Sequence, residues 1–334
     1  MECIFCKNEI TESNLSVEHI IPKFLGGTYV LNNVCKKCNS EMGTDFEGEL
    51  SNNPIIQFIQ AFYLLKQRKS KKPIVPHLGL KINNMNVDCD NEGHIFFYSN
   101  PVITDDGDIK VNALVDKNMP QKEVDNMLDT KVSRLNKRND REDLGYEIIS
   151  ETQKLEYGKI EEIEWGLDLR VIGQLFIKIA YEFTSTALGQ DYFNDNVASL
   201  FRNAIKHGGN SFVPLEKYIY DIDCDKARLQ YCVDKVLEVI FANTESNLCG
   251  GELIYPSDGN YIHEISLNHD CGALFVDISF FGIIKGCVCV CEDVDNFGFE
   301  TGELIKLVMG INDGESYYSI YSNHAELKNK FTYS

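Results

Sequence analysis

Two C-x2-C pairs lie close together near the start of the chain, Cys3-Ile4-Phe5-Cys6 and Cys35-Lys36-Lys37-Cys38. No other feature of the chain limits its folding as tightly. A C-x2-C turn sets two thiolates on one side of a tight knuckle. Two knuckles facing each other form an S4 cage that suits Zn2+. Four thiolates leave no open coordination position, so this ion is expected to be structural. Its binding supplies on the order of 10 kcal/mol to a segment too small to fold on its own core. The stretch between the pairs, from Lys7 to Val34, exceeds the usual zinc-ribbon spacing, so the cage must enclose a further element. The chain has 12 cysteines, and its opening stretch, "MECIFCKNEI", carries an acid and no long apolar run. That is not a signal peptide. A cytoplasmic location is expected, with thiols that stay reduced and serve metal binding or packing rather than disulfides.

The enclosed element is "VEHIIPKFLGG" (17–27), followed by "NNVCKKCN" (32–39) and "EMG" (41–43). Cutting a phosphodiester needs an activated water, neutralisation of the scissile phosphate and stabilisation of the leaving oxygen. An unperturbed imidazole is neutral in about three quarters of molecules at pH 7, so His19 can accept a proton from water. Glu18 and Asn39 are oxygen donors suited to one Mg2+ or Mn2+. Asn39 is expected in the first turn of a helix with Met42, Phe46 and Leu50 on its apolar face, where free N–H groups favour a phosphate. Singly, each of these residues has an ordinary structural reading: a surface acid–His pair, and Asn beside Gly as a turn former.

Together, the order C-x2-C, E-H-I-I-P, G-G, N-N-V-C-x2-C-N resembles the HNH endonuclease family, whose ββα-metal motif is often clasped by two such knuckles. The resemblance covers about the first fifty residues. It implies a metal-dependent endonuclease acting on DNA, with His19 as general base and Glu18 and Asn39 holding a divalent ion. Asn33, rather than its neighbour Asn32, is the middle Asn that fixes the loop aiming the base. Asn rather than His at the last position, and Glu rather than Asp before His19, favour a hard cation over zinc at this second site. One such site nicks one strand, so a double-strand break requires a homo-oligomer or a partner protein. By analogy with the family, the biological role is that of a bacterial anti-phage or restriction effector. Two rivals stand beside this reading: an RNA endonuclease, and a non-catalytic zinc module that binds nucleic acid or protein.

Charge sets the first segment apart. Residues 1–80 hold nine Lys/Arg and eight Asp/Glu, a balance of +1 within a chain of net charge −19. The remainder, at −20, repels a polyanion at long range, so nucleic acid must be held by a local site. Lys36 and Lys37 in the second knuckle, and Lys66, Arg68 and Lys69 in "KQRKSKK", are the candidate phosphate contacts. The latter group also suits the solvated C-terminal end of a helix opened by Asn53 and Pro54.

The chain is read as α+β: a zinc-clasped ββα-metal module with a trailing helix over 1–72, then a larger body of helices and antiparallel strands over 73–334, with a sub-boundary near 210. In the body, helices are predicted from Pro120 to Asn139, over 168–188 and 193–207, and near 225–243. Strands are predicted in "LKINNMNVDCD", "HIFFYS", "DIKVNALV", "HEISLN", "ALFVDIS", "FGIIKGCVCV" and "YYSIYS". Alternation places Cys287, Cys289 and Cys291 on one strand face, a packing role for small apolar thiols. His263, His269 and Cys271 lack a matching fourth ligand. The longest apolar run is broken by Asp277 and Lys285, so no membrane span is expected.

Overall fold

Hydrophobic patterning in the first sixty residues builds a hairpin and three helices. The computed structural model describes residues 1–44, 46–63, 80–82, 85–89, 95–103, 109–115, 120–138, 166–207, 213–245, 261–294, 297, 299–312 and 315–332. Strands β1 (Leu15–His19) and β2 (Val30–Cys35) pair antiparallel and are followed by α1 (Lys36–Thr44), α2 (Phe46–Ser51) and α3 (Pro54–Phe62). Met42, Phe46 and Leu50, expected on one apolar face, are all buried. At the start of α3, the Asn53 side chain accepts the Ile55 N–H at 2.9 Å and Pro54 takes the first helical position. Lys66, Arg68, Lys69, the boundary expected at 72 and the sub-boundary expected near 210 lie outside the described residues.

Next come β3 (Leu80–Ile82), β4 (Met85–Cys89), β5 (Ile95–Tyr98), β6 (Val102–Ile103), β7 (Ile109–Lys110), β8 (Ala113–Val115) and α4 (Gln121–Arg138). β3, β4, β5 and β8 form an antiparallel sheet in that order, and β6 and β7 pair separately. Val124, Met127 and Leu128 of α4 pack with Tyr98 of β5 in a small satellite cluster.

The main body opens with α5 (Leu169–Leu188), capped by the Asp168 carboxylate on Arg170 N–H at 2.8 Å. Then follow α6 (Gln190–Phe193), α7 (Asn196–His207), β9 (Ile219–Cys224), α8 (Lys226–Glu245), β10 (Tyr261–Asp270), β11 (Ala273–Phe280), β12 (Ile284–Cys291), β13 (Gly302–Asn312), β14 (Glu315–Tyr321) and α9 (Ala325–Thr332). A six-stranded sheet, β14-β13-β10-β11-β12-β9, is antiparallel throughout. α5 lies across it, with Phe176 against Phe280 at 5.3 Å between ring centroids. One apolar cluster runs from Cys3 to Phe331, so the N-terminal module and the large sheet share a core through α5.

A bulge corrects the cysteine stripe. Cys287 pairs with Asp277 and Cys289 with Phe275, but Cys291 pairs with Leu274. The extra residue, Val290, moves Cys291 to the sheet face of Val276 and Val288, opposite its two neighbours. Among the described residues no helix is long and apolar enough to cross a membrane.

Candidate active site

The two knuckles meet. The Sγ atoms of Cys3, Cys6, Cys35 and Cys38 all lie within 4.8 Å of one another, and Cys6 and Cys35 are 3.7 Å apart. A tetrahedral zinc with Zn–S bonds of about 2.3 Å has edges of about 3.8 Å, so the donor set fits zinc in kind and in size. A hydrogen bond from the Cys38 thiol, backed by main-chain N–H groups, holds the Cys3 thiol down to about 4. That bond in turn pushes Cys38 up, and burial pushes Cys6 up. Thiolates packed this closely repel one another, and a cation between them removes that cost. Each knuckle sits on a different element: the first is an N-terminal turn, Cys35 ends β2, and Cys38 is in the first turn of α1. Among the described residues no other group of His, Cys, Asp or Glu gathers closely enough to hold a metal ion, which leaves His263, His269 and Cys271 unassociated.

His19 ends β1, half-buried, beside the loop that returns to β2. Its Nδ1 lies 3.1 Å from the Gly27 carbonyl. A carbonyl only accepts, so Nδ1 carries the proton and Nε2 is the basic nitrogen of the neutral ring. The Gly-Gly pair is what makes this bond possible. Gly26 has φ 87°, and a Cβ on Gly27 would fall 1.8 Å from the Ile21 carbonyl oxygen. The Pro22 carbonyl accepts from Leu25 and Gly27 N–H, which folds "PKFLGG" back toward the strand.

Asn39 is fixed in the same manner. Its Nδ2 donates to Ser16 Oγ at 3.0 Å and to the Val17 carbonyl at 2.9 Å. Both amide protons are then used, and Oδ1 is left as the acceptor. The strand it grips is irregular: Ser16 pairs with Val34 and Glu18 with Leu31, so Asn32 and Asn33 together oppose Val17 in a bulge. The Asn33 carbonyl accepts Ile4 N–H at 3.1 Å and ties the bulge to the first knuckle. His19 Nδ1 is engaged by the Gly27 carbonyl, and Asn33 Oδ1 is buried with no hydrogen-bond partner among the described residues.

Glu18 departs most from expectation. Successive strand residues point to opposite faces, and Glu18, only 4% exposed, turns inward to Lys178 of α5 at 2.5 Å. The same ammonium lies 3.1 Å from Glu47 and 3.3 Å from Glu182, and donates to the His19 carbonyl at 2.9 Å. Glu18 is thus an ion-paired core residue and not an open ligand beside Asn39. Lys178 was missed in the sequence. Its one signal is a Lys and a Glu four residues apart inside the apolar stretch "FIKIAYEF" (176–183).

Two further carbonyls of the His19 loop are held from outside it. Gln60 of α3 donates to Phe24 O at 2.9 Å, and His263 Nε2 of β10 to Leu25 O at 2.7 Å. His263 also packs edge-on against Phe280 and Phe281. Burial holds its pKa down to about 4 from 6.5, so the folded state binds fewer protons than the unfolded chain between those values. The stability from a neutral His263 is full above pH 6.5 and falls by about 3 kcal/mol as pH drops toward 4. His263→Gln keeps a donor and removes the titration. Its melting temperature should therefore lose less than that of the wild type between pH 7 and 4.5, and equal losses would refute the assignment.

Residues 3–55 match the HNH endonuclease family model. The match spans both knuckles, His19 and Asn39, and it stops before α5 and the large sheet. The HNH module is therefore the part of the chain with a nuclease family behind it. No curated protein and no solved structure is significantly similar to the chain.

Proposed function

We propose that the protein is a metal-dependent endonuclease that hydrolyses phosphodiester bonds in DNA through its HNH module. The observation carrying this reading is the His19–Gly27 bond inside the four-cysteine clasp: it gives a basic Nε2 in a fixed orientation. His19 takes the proton of the attacking water at Nε2, and the Gly27 carbonyl steadies the imidazolium that forms. A divalent ion such as Mg2+ or Mn2+, when bound, supplies charge neutralisation at the phosphate and the leaving oxygen. Asn39 Oδ1 is its protein donor in this proposal, and Glu18 joins only by exchanging the Lys178 ammonium for the ion. Lys36 and Lys37 open α1 on an exposed turn, where they suit phosphate contacts. Lys37 is only loosely engaged by Glu41, at 3.8 Å. An acidic body on such a module fits cutting released by a signal, as in an anti-phage or restriction effector.

The test is incubation with plasmid DNA and with matched RNA, in Mg2+, in Mn2+ and in EDTA, with His19→Ala beside the wild type. DNA cleavage that needs the ion and His19 is the expected result. Cleavage of RNA alone replaces DNA by RNA in the reading. No cleavage of either leaves the non-catalytic zinc module.

Gly27→Ala forces the Ile21 or Gly27 carbonyl to move. The expected loss is about 10- to 100-fold in kcat, the scale of a misplacement of about 1 Å. Zinc content by atomic absorption should be unchanged, since the four cysteines lie outside the loop.

A further inference from the structure

The Glu18–Lys178 pair joins the HNH module to a helix far beyond the family match. Lys178 comes from the middle of α5 and is fully buried. Burial alone would draw its pKa down, but Glu18, Glu182 and Glu47 together more than offset this and hold it well above the ordinary lysine value. The ammonium is therefore charged at neutral pH. Two of its contacts fall on the last two residues of β1: the Glu18 carboxylate and the His19 main-chain carbonyl. A charged donor on that carbonyl fixes the peptide that follows the His19 ring. The other two contacts, Glu47 and Glu182, lie off β1.

We propose that Lys178 is a positioning residue for the nuclease site: from the body of the protein it fixes the end of the strand that carries His19, and so the direction in which Nε2 faces. This rests on the nuclease reading above, and it extends the site beyond the residues that the family match covers. The HNH module holds the ring through Gly27, and α5 fixes the strand end from which the ring projects. Glu18, the largest of the charges acting on Lys178, is also its partner on the strand, whereas Glu47 and Glu182 do not touch the strand.

Two sets of variants test this. Lys178→Arg keeps the charge and changes its reach, and Lys178→Met removes it. Glu47→Gln with Glu182→Gln leaves both bonds to β1 in place. Positioning predicts that Lys178→Arg lowers kcat by about 10- to 100-fold, with KM within about twofold and zinc retained. The Glu47→Gln/Glu182→Gln variant should keep kcat within about twofold, whatever its melting temperature. Spectra of protein labelled with 15N-histidine should show His19 protonated at Nδ1 in the wild type and as a tautomer mixture in Lys178→Arg. An unchanged His19 spectrum in folded Lys178→Arg, or kcat that follows melting temperature across all variants, overturns the proposal. Should Lys178→Met fail to fold, Lys178→Arg carries the comparison. Should the wild type cut no nucleic acid, the nuclease reading fails, while the His19 spectra still decide whether Lys178 positions the ring.

Discussion

His19→Ala is expected to lower the single-turnover rate of DNA cleavage by about 10²- to 10⁴-fold, the usual contribution of a positioned general base. The argument is geometric. Gly27 holds Nδ1 at 3.1 Å, which commits the ring to one tautomer, and Asn39 is committed to one amide orientation by Ser16 and Val17. A side chain held this way is suited to proton transfer, because no reorientation is needed when the water attacks. His19 is half-buried at a strand end, so its truncation leaves no large cavity, and melting temperature and zinc content should stay near wild type. A variant that cuts at the wild-type rate, in either Mg2+ or Mn2+, removes His19 from the chemistry and takes the proposed function with it.

Stripping the zinc, by a strong chelator or by Cys38→Ser, is expected to unfold the HNH module outright. Structural zinc contributes on the order of 10 kcal/mol, which is comparable to the whole stability of an ordinary domain. The cage joins three elements: the N-terminal turn, β2 and α1. The first knuckle touches β2 through Cys35 N–H on Cys3 Sγ at 3.4 Å, and Cys38 belongs to α1. Asn39 follows Cys38 directly, so loss of the cage also frees the helix that carries it. The expected readings are one zinc per chain by atomic absorption, rapid proteolysis within residues 1–55 after chelation, and a large drop in melting temperature. A chain that carries no zinc and melts alike with and without chelator refutes the clasp.

The parts of this site legible from the sequence are those made by near neighbours. The knuckles at Cys3–Cys6 and Cys35–Cys38 announce a cage because the thiols have no other reason to be so spaced. Asn53-Pro54 announces a helix start, and "EHIIP" with a Gly-Gly pair announces a strand leaving through a tight turn. What was not legible depends on partners remote in sequence. Glu18 reads as a metal ligand until Lys178, 160 positions away, reaches its carboxylate. The Nδ1 acceptor of His19 is a main-chain carbonyl, and no side-chain type in the sequence identifies such a group. Asn33 reads as the residue that fixes the loop aiming His19, and the bulge at Asn32 and Asn33 that sets its main-chain carbonyl on Ile4 depends on the first knuckle. The same limit applies in the large sheet. β13, "GELIKLVMGIN", blends alternation with a continuous apolar run and was not separated from its surroundings, and one extra residue at Val290 turned Cys291 over.

The Tyr29 hydroxyl donates to the Phe331 carbonyl at 3.0 Å, and its ring packs against Phe331 and Tyr318. The loop behind His19 is therefore completed by atoms that the ribosome adds some three hundred residues later. A nascent chain that has not yet reached Phe331 holds the cysteines and the histidine but lacks the buttress. For an enzyme proposed to sever nucleic acid, this contact behind the base is among the last to form, since it waits for α9.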